Sequence, residues 1–92
     1  MADERIRRRV TVQGRVQGVF FRDSVRERAR AHGVAGWVCN RWDGAVEAHF
    51  EGDPDAVDAL VAFCREGPRG AHVDRVDVED VEPEGADGFA IR

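Results

Sequence analysis

The chain has no lysine, and all fourteen of its basic residues are arginine. That absence removes Schiff-base chemistry on a lysine amine and the phosphate-binding loop of ATPases, which requires a lysine. Cysteine is scarce as well, with Cys39 and Cys64 alone. Their separation matches no metal-site spacing, and both fall where small apolar residues are common, so they read as reduced thiols. His32, His49 and His72 also lack short ligand spacing and read as surface or helix-end residues. No apolar run approaches a membrane span, and the opening Met1-Ala2-Asp3-Glu4-Arg5 is charged where a secretory leader needs an apolar core. A cytoplasmic protein with no membrane partner is the expectation.

The 92 residues suit one domain over positions 1–92, large enough for a modest core without disulfides or a structural metal. A net charge of -4 and a pI near 5.3 argue against bulk attraction to nucleic acid, so any anion site is local.

Alternation of Ile6, Val10 and Val12 with Arg7, Arg9, Thr11 and Gln13 predicts a first strand with one buried face, Arg8 being the misfit. Phe21, Val25 and Ala29 recur at helical spacing before Gly33, which predicts a helix from Phe21 to His32. Gly36 to Trp42 and Ala45 to Glu51 flank Asp43-Gly44 and predict a hairpin. A two-residue turn there pairs Trp37 with Phe50, Cys39 with Ala48 and Arg41 with Val46. This places Trp37 in the core and Asn40 on the opposite face.

Asp53-Pro54 opens a second helix carrying Val57, Leu60, Val61 and Cys64, which Gly67-Pro68 ends. Val76 and Val78 mark a fourth strand, and Phe89 and Ile91 a short last one. The order βαββαβ predicts an α+β sandwich with two helices on one face of an antiparallel sheet. A right-handed split βαβ crossover puts the third strand between the parallel first and second. The ends of those two strands then lie roughly 10 Å apart on one edge.

At that edge, Gly14-Arg15-Val16-Gln17-Gly18-Val19-Phe20-Phe21-Arg22 leads from the first strand into the first helix. Glycines that free the backbone, a helix N-terminus and a planar guanidinium form a combination suited to an anion such as phosphate. Together with Gly36-Trp37-Val38-Cys39-Asn40, the Asp43-Gly44 turn before Ala45-Val46-Glu47, Gly67-Pro68 and the closing Phe89-Ala90-Ile91, the chain resembles an acylphosphatase over nearly its whole length. Phe20 is a common variant in that family, whereas Arg41 stands where many members carry threonine or another small polar residue.

The resemblance implies a ferredoxin-like fold and hydrolysis of small acyl phosphates to carboxylate and inorganic phosphate. The residues matching the family's catalytic pair are Arg22, as phosphate clamp, and Asn40, which positions the attacking water. Gly14, Arg15, Val16, Gln17, Gly18, Val19 and Phe20 match its phosphate-binding loop. No metal, cofactor or nucleic-acid partner is implied, and a monomer is expected.

Two other classes share parts of this pattern. The RNA-recognition domain has the same element order, and Arg5, Arg7, Arg8 and Arg9 crowd the first strand. Yet the outward positions of the two central strands are Thr11, Gln13, Glu47 and His49 rather than a stacking platform. A non-catalytic phosphate or acyl-phosphate sensor of this fold is the other alternative. An acylphosphatase-like module also begins a large carbamoyl-transfer maturation protein, but a chain of one domain favours a stand-alone enzyme.

Overall fold

A computed structural model describes residues 4–92. Its elements are β1 (Ile6–Arg15), α1 (Phe21–Ala31), β2 (Ala35–Asn40), β3 (Val46–Gly52), α2 (Pro54–Glu66), β4 (His72–Val81) and β5 (Phe89–Ile91). They form one sheet of order β4-β1-β3-β2-β5, with β5 parallel to β2 and every other pair antiparallel. This is the ferredoxin-like sandwich, its sheet made mixed by the short β5. Since β1 and β2 each run antiparallel to the intervening β3, they are parallel to one another and their ends meet at one edge.

Both helices pack on one face, α1 against β2 and β5, and α2 against β1, β3 and β4. Phe21, Val25 and Ala29, one turn apart, give α1 its buried stripe, and Val57, Leu60, Val61 and Cys64 do the same for α2. They meet Val10 and Val12 of β1, Val38 of β2 and Val46, Ala48 and Phe50 of β3. Arg8 shares that face but reaches its edge, where its guanidinium pairs with Asp58 of α2 and Asp80 of β4. Among the described residues no helix is long and apolar enough to cross a membrane.

The β2–β3 register corrects the expected pairing by one residue. Trp37 faces His49, Cys39 faces Glu47 and Asn40 faces Val46. The reason is a three-residue loop: the Arg41 N–H donates to the Ala45 carbonyl at 2.8 Å, leaving Trp42, Asp43 and Gly44 outside the ladder. Asp43 Oδ1 accepts the Ala45 N–H at 3.1 Å and Gly44 takes a left-handed φ of 92°, the geometry of a type I turn closed by a left-handed residue. Trp37 therefore lies on the face without helices. There its ring stacks on His49 at 4.3 Å between centroids, and the Arg92 guanidinium sits 4.6 Å from it. Asn40 shares the helix-covered face with Val38, at the open end of the core.

Candidate active site

The loop joining β1 to α1 begins at a ladder irregularity between Gln13 and Gly14. Gly14 has φ 133°, and a side chain there would collide with the His72 carbonyl oxygen of β4. Gly18 is also left-handed (φ 75°), but nothing crowds it. Phe20, the residue before α1, adopts φ 60° and ψ 26°, which is costly for a bulky side chain, and its ring is 77% exposed. The first helical bond runs from the Ser24 N–H to the Phe20 carbonyl at 3.0 Å. Among the described residues, the backbone N–H groups of 17–23 have no acceptor, so the bend and the first turn of α1 converge donors with the positive end of the helix dipole.

Val16, Gly18, Phe20, Phe21, Arg22, Asp23 and Asn40 line a cavity of about 210 Å³. Arg22, on the first turn of α1, is half-buried, and among the described residues its guanidinium has no acceptor. The other buried or half-buried arginines, Arg7, Arg8, Arg9, Arg26 and Arg41, each pair with a carboxylate. Asn40, the last residue of β2, carries a buried Oδ1 that likewise has no hydrogen-bond partner among the described residues. A buried carboxamide oxygen left unpaired costs about 1–3 kcal/mol, and this one is left open to a bound donor. Among the described residues, the cavity thus combines an unpaired cation, unpaired N–H donors and an unpaired carboxamide oxygen. Arg41, Arg92 and Arg22 also oppose the rise of the nearby Cys39 thiol pKa, which burial and Glu47 push upward.

The remaining loop residues do not line this cavity. Gly14 belongs to the β1–β4 ladder, and Arg15 ends β1, exposed beside His72 and Asp74. Val19 packs against the core, and the Gln17 side chain turns to the β2–β3 loop. Asp23 escaped the sequence reading. It lines the cavity, with its carboxylate 3.4 Å from Arg26, and only its place beside Arg22 in the first helical turn hinted at this. A larger cavity of about 820 Å³ lies at the opposite end of β2, but its guanidinium groups are committed within the protein. Arg5 and Arg7 bind Glu51, Arg30 binds the Phe89 carbonyl and Arg92 covers Trp37.

Residues 8–91 match the family model described as Acylphosphatase. A protein of that name from Rubrobacter xylanophilus is 62% identical over 86 residues, 91% of this chain and 77% of its own length. The solved acylphosphatase of Coxiella burnetii superposes with a TM-score of 0.92 at 40% identity, over 96% of this chain and 93% of that one. Full-length HypF, solved in a phosphate- and nucleotide-bound form, superposes over 100% of this chain but only 12% of its own, with a TM-score of 0.93 at 26% identity. The chain belongs to the acylphosphatase family.

Proposed function

We propose that the chain hydrolyses the carboxyl–phosphate bond of small acyl phosphates by in-line attack of a water positioned by Asn40 on a phosphoryl group held by the loop of residues 14–20 and Arg22. Acyl phosphate hydrolysis as such follows from membership of the family. The observation that carries the finer assignment is the presence, on one cavity, of an unpaired guanidinium and an unpaired buried carboxamide oxygen. Arg22 and the free N–H groups neutralise the equatorial phosphoryl oxygens, whose charge is spread over a loose transition state. Asn40 Oδ1 accepts a hydrogen bond from the water and so aims its oxygen at phosphorus. The P–O bond to the acyl group breaks, carboxylate leaves, and the water's proton passes to a phosphoryl oxygen or to solvent. A carboxylate is a good leaving group, so alignment and charge stabilisation suffice without a basic side chain.

The cavity lining presents a cation, amide donors and a carboxamide, with Asp23 as its one carboxylate, so Arg22 and the amides supply charge neutralisation of the phosphoryl oxygens from the chain itself. The exposed Phe20 ring at the cavity wall offers apolar surface to the acyl group.

The RNA-binding alternative has less support, because Arg5, Arg7, Arg8 and Arg9 are paired with Glu51, Asp58, Asp80, Glu47 and Glu79. Timed hydrolysis of benzoyl phosphate in excess chelator tests the proposal, with competitive inhibition by inorganic phosphate expected. Phosphate binding without turnover by well-folded protein would identify a sensor instead.

A further inference from the structure

We infer that Gln17 is a positioning residue for the reaction proposed above, its side-chain amide locking the phosphate loop to the β2–β3 hairpin and so fixing the phosphoryl site against the water at Asn40. Gln17 Nε2 donates to the Arg41 carbonyl at 2.8 Å and to the Ala45 carbonyl at 2.9 Å. Both amide protons are spent. The first acceptor belongs to the residue directly after Asn40, and the second to the residue that closes the hairpin loop by accepting the Arg41 N–H. Among the described residues, no other side-chain hydrogen bond joins residues 14–20 to residues 40–45.

A mechanical need makes this link more than local packing. The phosphate loop hangs from the end of β1 and Asn40 from the end of β2, and the two strands have no ladder between them because β3 intervenes. Beyond Arg15 no ladder holds the loop, and Gly18, left-handed and uncrowded, adds backbone freedom there. The catalytic geometry, however, requires the water oxygen and phosphorus in line at about 3–3.5 Å, and a misplacement of 1 Å costs on the order of 10²-fold in rate. A carboxamide with two donors on two carbonyls of the opposing hairpin sets that separation. It does so without touching substrate, since neither proton remains for a phosphoryl oxygen.

Gln17→Met keeps the length of the side chain and removes both donors. It is expected to lower kcat for benzoyl phosphate by about 10-fold while the inhibition constant of inorganic phosphate stays within about twofold, because the cradle itself is intact. The discriminating step is the double variant with Asn40→Ala. If Gln17 acts through the water at Asn40, Gln17→Met costs little once Asn40 is gone, and the two losses are strongly non-additive. An equal Gln17→Met loss in both backgrounds, or phosphate affinity falling in step with kcat, overturns the inference. An Asn40→Ala protein with wild-type kcat instead overturns the underlying water-positioning reading. Should Gln17→Met melt below the assay temperature, Gln17→Glu, which sets a carboxylate against the same two carbonyls, serves in the same cycle. If neither variant folds, Gln17 is a stability element and the inference is wrong.

Discussion

Arg7 donates to Glu51 across a 2.8 Å ion pair with both side chains closed to water, 3% and 0% exposed. Glu51 also accepts from Arg5 and from the backbone N–H groups of Glu84, Gly85 and Ala86, so one carboxylate pins the connection from β4 to β5. On the other side, Arg7 Nε donates to His49 Nδ1 at 3.3 Å. A charge this buried is tolerable only because its lone pairs are filled.

The pH dependence of stability follows from that arrangement. Burial alone would raise the Glu51 pKa, but the Glu84 N–H, Arg7, Arg5 and the Gly85 N–H bring it down from 4.5 to about 2. The folded chain therefore holds this proton more weakly than the unfolded one. The stabilisation is complete above about pH 4.5 and is lost as pH falls towards 2, on the order of 3 kcal/mol in all at about 1.4 kcal/mol per unit. Glu51→Gln, which leaves Arg7 buried without its charge partner, should lose roughly 3 kcal/mol at pH 7. Its deficit should shrink by pH 3. Urea denaturation at the two pH values measures this, and a deficit independent of pH would remove Glu51 from the explanation.

For Arg22 the expected outcome is a large kinetic effect with a small structural one. Because, among the described residues, no acceptor is left unpaired when its guanidinium is removed, Arg22→Ala should unfold within about 0.5 kcal/mol of wild type. Its kcat/KM should fall on the order of 10²-fold or more through loss of an oriented charge clamp. Arg22→Lys restores charge without the planar fork and should recover only part of it. A folded alanine variant with near wild-type kcat/KM would show that the clamp lies elsewhere.

For Phe20 the expected outcome concerns stability. A left-handed backbone costs a bulky residue roughly 1–2 kcal/mol, which glycine avoids at some expense in unfolded-chain entropy. Since its ring is mostly in solvent, Phe20→Gly should leave stability unchanged or raise it by up to about 1 kcal/mol. A thermal melt decides. A clear loss of stability would mean that the ring packs more tightly than its exposure implies.

Much of this was legible before the fold was seen. The β1–α1 loop carries its glycines in the sequence, the helices announce themselves by Phe21, Val25, Ala29 and by Pro54 before Val57, and Asn40 sits where the second strand ends. The hairpin was legible but its register was not, because Asp43-Gly44 suits both a two-residue turn and the last two positions of a three-residue loop. The choice was made by the Arg41–Ala45 bond, and one residue of slip moved Trp37 from the expected core to the outer face, where His49 and Arg92 cover it. Nor does a sequence reveal side-chain reach. Gln17 reads as one more loop residue until its amide is seen on the Arg41 and Ala45 carbonyls. Arg8 reads as a break in an apolar pattern until Asp58 and Asp80 are seen beside it.

The division of labour between Arg22 and Asn40 is tested most directly by Asn40→Ala, with turnover at saturating benzoyl phosphate and calorimetric binding of inorganic phosphate measured on the same protein. In the proposed mechanism Arg22 meets charge present in both ground and transition states, whereas Asn40 acts only on the nucleophile. The variant should therefore lose on the order of 10² in kcat and keep phosphate affinity within about twofold. Phosphate affinity that falls as far as in Arg22→Ala, with turnover at saturation unchanged, would contradict water positioning and place Asn40 in the anion cradle.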